Sequence, residues 1–290
     1  MKIKPFFLAC CVIPHLYGQI NSYIGSYSGT NKDGYLQPVA SLLTANFNAG
    51  IIPSSEIDST FHVYFRLIGT GSLIEGKQLT YFNAVTPDPF LPKSIVQVPT
   101  ILGPRHSSNT IGQHGLVYTF PAGLGLRQFI IAFPQISLSG IAGTELNARF
   151  FAYDTKGDAG KITLVSIGAR HDIGRYFIRN KNIALSVGYF YNQADVGDYL
   201  HHTSHLIISS IGKHGKHWNY GFFGGYQKGT IHGTYVSTDA EASTVSYNLT
   251  NKNPVIFGLT AGLRFGALYM QLSAQGISPI TLSYGLGIKF

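Results

Sequence analysis

The sequence predicts an all-β protein: a transmembrane antiparallel β-barrel of about 12–14 strands, with a short N-terminal helical or plug-like segment. Three observations predict this class. Apolar and polar residues alternate with period two in runs of about ten residues. Charged residues make up 12% of the 290-residue chain, whereas soluble domains average about 25%. Glycine is abundant at 34 residues, without a collagen period, and the chain is too hydrophobic to be disordered.

Residues 1–18 are predicted to be a secretory signal peptide. Lys2 and Lys4 precede a short apolar run, and the small residue Gly18 follows it, which is the pattern of a cleaved signal. A membrane anchor is the alternative, but the apolar run is too short to span a bilayer as a helix. Both cysteines, Cys10 and Cys11, lie in this segment, so we expect no disulfide and no thiolate site in the mature chain.

Residues 19–58 are predicted to be a lead-in or a plug. Within Tyr35 to Gly50, leucines and a valine recur at helix-like spacing before the first convincing strand. Two placements remain open for this segment. It forms a short helix that plugs or caps the barrel lumen, or it is a lead-in that packs against the barrel rim.

Residues 59–290 are predicted to form the barrel. The first clear strand is TFHVYFRLIG, in which one face is apolar and the other polar; the apolar face comprises Phe61, Val63, Phe65 and Leu67, and the polar face His62, Tyr64 and Arg66. Similar runs begin near residues 144, 162, 182 and 217, and turn-forming stretches rich in Gly, Asp, Asn and Lys separate them. About ten strands are expected from residue 130 onward.

Two stretches depart from this pattern. Residues 85–109 contain five prolines, which predicts a long loop rather than sheet. Val255 to Ala274 is as long as a transmembrane helix and contains one charge. We interpret it as two strands joined by a tight turn near Gly266, because one helix would leave the other alternating runs unexplained.

The character of the two faces favours a membrane barrel over a secreted β-sandwich. A β-sandwich carries charged residues on its outer face, whereas the polar faces here are poor in charge and rich in Gly, Ser, Asn and Gln. A sheet that spans a bilayer must also close on itself, because every backbone polar group must be paired. Aromatic residues also cluster near predicted strand ends, as in an interfacial girdle; they are Phe150, Phe151, Tyr153, Tyr176, Phe177, Tyr189, Phe190 and Tyr191. The predicted location is the outer membrane of a Gram-negative bacterium, with outer-membrane lipid as a partner.

Both barrel ends are expected in the periplasm, because an even strand number requires it. The turn near Gly266 is then periplasmic, and residues 237–254 and 212–216 are extracellular. The final stretch SYGLGIKF alternates up to Phe290 and should pair with the first strand. It is similar to the signal that barrel assembly machinery reads, and its outward residues are Tyr284, Leu286, Ile288 and Phe290.

Five charged residues are candidates for a charge-paired lumen lining. They lie on the polar faces of predicted strands and comprise Arg66, Glu145, Arg149, Arg170 and Arg264. Three histidines, His201, His202 and His205, with His214 and His217 nearby, are candidate metal ligands. Alternation places His202 on the opposite face from His201 and His205, which weakens a three-ligand site. No catalytic residue, cofactor site or metal site is predicted, and the dispersed charges predict no nucleic-acid partner.

Several motifs carry a resemblance to a known family: YLQP, NFNAG, VPTILG, PQISLSGIAGTELNARFFAY and VSIGARHDIGRYF, between residues 35 and 180. On these stretches the chain resembles a family of Bacteroidota outer-membrane barrel proteins defined only as a domain of unknown function. It is also loosely similar to hydrophobic-compound transport barrels, which pair an N-terminal plug with a barrel. The resemblance implies no activity and no ligand.

The sequence therefore predicts a channel or transporter for small solutes, apolar ones included, and not an enzyme. The alternative is a non-conducting structural or assembly barrel that scaffolds surface machinery. Strand pattern alone does not distinguish the two, because a barrel wall is built in the same way in both.

Overall fold

The structure is a computed structural model that describes residues 29–52, 54–86, 94–111, 115, 117–154, 161–197, 200–236 and 244–290. The predicted signal peptide, residues 1–18, lies outside the described residues. In the described part, strands predominate over two helices, α1 (Gly29–Phe47) and α2 (Lys77–Thr80), and a 3-10 turn, Gly174–Tyr176.

Fifteen strands are present in this part of the chain. The first strand, β1 (His62–Leu73), lies between the two helices. Four short strands follow α2: β2 (Tyr81–Val85), β3 (Ile95–Pro99), β4 (Ser108–Ile111) and β5 (Val117–Phe120). The remaining ten are β6 (Gln128–Ile141), β7 (Thr144–Asp154), β8 (Lys161–Asp172), β9 (Ile183–Val196), β10 (Leu200–His214), β11 (Trp218–Val236), β12 (Thr244–Thr250), β13 (Val255–Phe265), β14 (Leu268–Gln275) and β15 (Ile280–Lys289).

Ten of these strands form a closed antiparallel ring. The order is β10-β9-β8-β7-β6-β1-β15-β14-β13-β11, and pairing of β10 with β11 closes it. The all-β barrel class is therefore confirmed, as is pairing of the last strand with the first, which runs from Tyr64 opposite Lys289 to Leu73 opposite Ile280.

The expected strand number of about 12–14 is wrong for the ring. That number comes from a division of the whole mature chain at roughly 20 residues per strand with its loops. Residues 74–127 instead contain two separate hairpins, β2–β3 and β4–β5, and β12 pairs only with the distal part of β11. The proline-rich stretch is accordingly not a plain loop, since it includes β3 and the start of β4.

The two ends of the barrel differ in their connections. The turn end has the short connections at residues 142–143, 215–217 and 266–267 and the longer connection at residues 173–182, which includes the 3-10 turn. Lys289 and the start of β1 lie at the same end. The cap end has the insertion of residues 74–127 and the connection from β11 to β13. The sequence placed residues 212–216 and the Gly266 turn at opposite ends, and this was wrong, because Arg264 N donates to His217 O at 2.8 Å.

The two faces of the ring wall have opposite character. Outward side chains are apolar and exposed, as in β15, where Leu282, Tyr284, Leu286 and Ile288 are 46–56% exposed. Inward side chains are small or polar and buried, as are Ser283 and Thr281. Two aromatic residues of the predicted girdle point inward instead. Phe190 is 1% exposed and falls on the inward parity of β9, and Phe151 shares the inward parity of Arg149 on β7 and packs against Phe133 and Leu164.

The interior of the ring, the lumen, contains the chain's own N-terminal region. We call residues 29–52 and 54–60 the luminal segment. It begins at the cap end, where Asn31 Nδ2 donates to Val85 O, and α1 then descends into the ring. The chain reaches the turn end at Asp58, which contacts Lys289, and turns outward into β1. The lumen is thus traversed from one end to the other.

The insertion of residues 74–127 covers the upper part of α1. Tyr35, Leu36 and Leu42 of the helix pack in one buried cluster with apolar residues of the insertion, such as Val98 and Phe120. Ile101 N also donates to Tyr35 O at 3.1 Å. The insertion is therefore a cap fixed to the luminal segment. None of the helices in the described ranges has the length and apolar character needed to cross a membrane.

Candidate functional site in the barrel lumen

The structure places the five charged residues predicted for the lumen on the inner face of the ring. Arg66, Glu145, Arg149 and Arg170 are buried, with exposures of 2–4%. The Arg264 side chain lies nearer the turn end and is 24% exposed. Four charged side chains in a buried space require compensation, because an unpaired buried charge is strongly destabilising.

Glu145 and Arg170 form the central ion pair. They are cross-strand neighbours on β7 and β8, and Arg170 donates from Nε and Nη2 to the carboxylate at 3.3 and 2.9 Å. Arg66 Nη2 lies farther away, 3.9 Å from Glu145 Oε1. The sequence put Glu145 and Arg149 on one face, but four residues along a strand separate them by about 13 Å. The partner of Glu145 is therefore across the sheet.

Arg149 contacts the luminal segment instead of a carboxylate. Its Nη1 and Nη2 donate to the carbonyls of Phe47 and Ala49, each at 3.0 Å, and its Nε donates to Gln135 Oε1 at 2.8 Å. The carbonyl of Phe47 is the last of α1 and that of Ala49 lies just beyond it, where the helix dipole places partial negative charge. Arg149 therefore fastens the end of the helix to the wall.

Arg170 and Arg264 fasten the next part of the segment. Arg170 Nη1 donates to Ser54 O, and Nη2 donates to Glu56 O at 3.2 Å. Arg264 Nη2 lies 3.3 Å from the Glu56 carboxylate. Three arginines of the wall thus bind the luminal segment, two of them through its backbone.

Sequence reasoning missed a set of amide side chains that also bind the luminal segment to the wall. Asn48 is bonded to Gln227, Asn192 and Ser204, with distances of 3.1, 2.7 and 3.5 Å. Asn46 bonds Ser72 and Thr70 at 2.8 and 3.1 Å. The signal was present in NFNAG, whose two asparagines interrupt an apolar helical pattern where a core helix would carry apolar residues.

Two apolar clusters also hold the segment. Phe47 packs with Ile68 and Phe133, and Ile52 packs with Phe190 and Leu206.

The wall leaves space for the luminal segment at glycines, which have no side chain. A Cβ at Gly229 would lie 1.8 Å from Thr44 Oγ1 and 2.8 Å from Thr44 Cβ, so α1 approaches β11 as closely as glycine permits.

Asp58 anchors the segment at the turn end. Its carboxylate accepts a hydrogen bond from Lys289 Nζ at 2.8 Å and one from the Tyr64 hydroxyl. Burial by itself would raise the pKa of Asp58, but hydrogen bonds from Lys289 and Tyr64 and the nearby positive charge hold the pKa below its ordinary value. The carboxylate is therefore kept ionised.

Two cavities open near the cap end. The larger, of about 650 Å³, lies where Lys32 and Asp33 of α1 approach the β9–β10 connection and β11–β12, beside Asp195, His201 and His232. The smaller, of about 350 Å³, lies between the starts of β13 and β15, beside Ser41 and Ala45 of α1. Both contact the luminal segment, so a solute in either one would touch α1.

The histidines considered as metal ligands are dispersed. His202 is buried and bonds Thr44 at 3.1 Å, His201 contacts Asp195, and His205 bonds Tyr189 at 2.7 Å. Within the ranges that the structure describes, no group of three or more His, Cys, Asp or Glu side chains could hold a metal ion.

The four residues predicted for an assembly signal lie together on the outer face. Tyr284, Leu286, Ile288 and Phe290 are exposed, Phe290 by 69%. Phe290 also closes the ring, since its backbone N and O pair with Val63 at 2.9 and 3.0 Å.

Comparison with known proteins places the chain in a family. The model of a family of unknown function, DUF6588, matches residues 2–290. The chain belongs to DUF6588. The motifs that suggested a family of unknown function are thus those of a DUF6588 member, and the description of that family names no activity. Curated protein sequences gave no significant match.

Solved structures similar to this DUF6588 chain include three barrels. The outer membrane protease OmpT of Escherichia coli has 8% identity and a TM-score of 0.34, with 82% of this chain and 99% of that one covered. A FadL homologue of Pseudomonas aeruginosa has 13% identity and a TM-score of 0.29, with coverages of 84% and 67%. The toluene transporter TbuX of Ralstonia pickettii has 7% identity and a TM-score of 0.27, with coverages of 81% and 90%.

Proposed function

We propose that the protein is an outer-membrane barrel that transports small solutes and is closed in this conformation by its luminal segment. The proposal for location is supported by the outer face of the ring. Neighbouring strands of the ring expose large apolar side chains on this face, such as Phe65, Leu259 and Leu286, whereas soluble monomers rarely expose a large contiguous apolar patch. Nine of the ten ring strands have 10–19 residues, enough for the roughly 9–11 residues that a tilted transmembrane strand needs, and β14 has 8 residues.

The same reasoning orients the barrel. Short turns face the periplasm and long connections face outward in outer-membrane barrels, so the turn end is periplasmic and the cap end is extracellular. The outward residues of β15, with Phe290, are then presented to the barrel assembly machinery during insertion.

The observation that carries the transport proposal is the nature of the contact between the luminal segment and the wall. A barrel that serves only as a scaffold can fill its lumen with its own wall side chains. Here many inward side chains of the wall are small and polar, such as Ser137, Ser204 and Ser283. A separate piece of chain occupies the space through hydrogen bonds such as those of Arg149 and Asn48. Water can replace such bonds, each with a net value of about 0.5–1.5 kcal/mol, so these polar contacts oppose movement of the segment only weakly.

A non-conducting scaffold is the second candidate, and the apolar clusters around Phe47 and Ile52 favour it. Burial of each side chain contributes about 1.5–3 kcal/mol, which opposes displacement of the segment. The two candidates therefore differ in one measurable property, whether the lumen can open in a folded barrel.

The test is conductance in planar bilayers of wild type and of the double variant Asn48→Ala/Arg149→Gln. Wild type should be nearly silent, and the double variant should conduct because five contacts to the segment are lost. The control is Ser210→Ala, which removes a wall hydrogen bond to Ser186 and leaves the segment untouched. Heat-dependent mobility on gels reports folding of each barrel. A folded double variant that stays silent contradicts transport and supports the scaffold.

A further inference from the structure

Three basic residues lie side by side on the outer face of the ring, near the cap end. His205 on β10 is directly opposite Lys228 on β11. On the other side of Lys228 lies Lys252, because the backbone N of Asn251 donates to Gly229 O at 2.9 Å and continues the β11–β12 register. All three are exposed and each has a buried neighbour in the chain, so alternation places them on the outer face. We call His205, Lys228 and Lys252 the basic row.

The basic row has no acidic partner. Among the described residues, no carboxylate lies within ion-pair distance of any of its three members. Asp195 of β9 is four residues beyond Tyr191, the residue opposite His205, which is about 13 Å along the strand, and it contacts His201. Like charges directly opposite each other on neighbouring strands are destabilising. An anion at the row would therefore offset an uncompensated positive charge.

Three tyrosines border the basic row. Tyr191 lies opposite His205 on β9, with ring centres 5.2 Å apart. Tyr189 and Tyr226, two residues nearer the turn end, are 49% and 53% exposed and lie on either side of Ile207. The Tyr189 hydroxyl lies 2.7 Å from His205 Nδ1, which orients the imidazole and leaves its Nε2 for a ligand. Hydroxyl, imidazole and ammonium groups all donate to phosphate oxygens.

The basic row lies at the edge of the apolar band. From the turn end up to this level, the exposed outward side chains of β11 are aromatic: Trp218, Tyr220, Phe222 and Tyr226. From Lys228 onward, the outward residues Thr230 and His232 are polar. Tyrosine and tryptophan lie at membrane–water interfaces, so the change from aromatic to polar marks the level of the lipid headgroups.

We propose that the basic row binds the phosphate of a lipid headgroup in the outer leaflet of the outer membrane. Basic clusters at a membrane surface attract anionic headgroups, and the acyl chains of such a lipid would lie along Ile207 and Tyr226. A free phosphate ion would match the charge of the row but not the apolar surface that adjoins it. The inference rests on the proposed outer-membrane location with the cap end outside, and it is independent of whether the lumen conducts.

The test is thermal unfolding of the purified barrel in a nonionic detergent. Lipid A, dephosphorylated lipid A and inorganic phosphate are added separately at equal concentration. Wild type should gain several degrees with lipid A alone, with saturation, because a ligand of the folded state stabilises it. An equal gain with dephosphorylated lipid A would show that no phosphate is bound, and an equal gain with inorganic phosphate would show a site for a free anion. Either result overturns the proposal.

Two double variants locate the site. Lys228→Gln/Lys252→Gln should lose most of the gain. Lys213→Gln/Lys216→Gln is the matched control, because it removes the same charge from exposed residues at the turn end, and it should keep the gain. Heat-dependent gel mobility reports folding of both. A wild-type response of Lys228→Gln/Lys252→Gln contradicts the site.

Failure of this site is distinguishable from failure of the proposed function. A barrel in another membrane would be absent from outer-membrane fractions of the cell, and a scaffold barrel would remain silent in planar bilayers. Neither measurement depends on the stability gain with lipid A, which reports the basic row alone.

Discussion

Arg170 donates from Nε and Nη2 to the two oxygens of Glu145, at 3.3 and 2.9 Å, inside the ring. Glu145→Gln should destabilise the barrel by about 3–5 kcal/mol, because it leaves buried guanidinium charge without its carboxylate. Unfolding in urea, followed by heat-dependent gel mobility, measures the loss.

Two controls sharpen this prediction. Ser210→Ala removes one buried hydrogen bond and should lose only about 1 kcal/mol. Glu145→Leu/Arg170→Leu should be less damaging than Glu145→Gln, because both charges are removed together. A Glu145→Gln loss no larger than that of Ser210→Ala would show that the pair is not needed to neutralise the lumen.

Gly229→Ala should displace α1 from the wall. The added Cβ would lie 1.8–2.8 Å from the Thr44 side chain, and overlap of this size forces a shift. Gly224→Ala on the same strand is the control, because the nearest atom there, Ile256 O, is 3.6 Å away. We expect Gly229→Ala to increase both conductance and proteolysis within residues 29–60, with Gly224→Ala unchanged. Equal protease resistance of the two variants would disprove a tight contact at Thr44.

An opened lumen should select anions. Displacement of the luminal segment exposes three positive side chains, Arg66, Arg149 and Arg170, and one negative side chain, Glu145. A pore lined mainly by one sign of charge attracts ions of the opposite sign. In the Gly229→Ala background, the reversal potential across a KCl gradient should have the sign of anion permeation, and Arg66→Gln should reduce it. Cation selectivity in that background would contradict the charge balance described for the lumen.

Phe290→Asp should strongly reduce insertion into the outer membrane. A carboxylate at the edge of the apolar band costs only about 1 kcal/mol or less by itself, so a large loss would reflect failed recognition by assembly machinery. Phe290→Leu keeps an apolar outward side chain and should insert normally. The measurement is the folded fraction in outer-membrane preparations, and near-normal levels of Phe290→Asp would refute the assembly role.

Asp58→Asn should lower stability at neutral pH and have little effect in acid. Because the folded state holds the pKa of Asp58 below its ordinary value, the carboxylate contributes stability above the unfolded pKa of about 3.9. That contribution disappears as the pH falls through the folded pKa. Melting curves of wild type and Asp58→Asn should therefore differ at pH 7 and converge below about pH 4. A constant difference from pH 7 to pH 3 would contradict the ion pair with Lys289.

The sequence by itself determined the alternation of many ring strands and, for most of their residues, which face is apolar. Phe65 and Leu67 alternate with Tyr64 and Arg66, and this alternation is a local property because successive side chains of a strand point to opposite faces. It therefore predicted the outward position of Phe290 and the inward position of Arg66 without knowledge of any partner strand.

Only the tertiary structure decided the number of strands in the ring, the path of the luminal segment and the partners of each charge. Asn48 meets Asn192, and Glu145 meets Arg170 across the sheet rather than Arg149 along the strand. These contacts depend on register and closure, which join residues far apart in the chain and leave no periodic trace in the sequence. The same closure encloses the Arg66 side chain in a buried space, where it is 2% exposed.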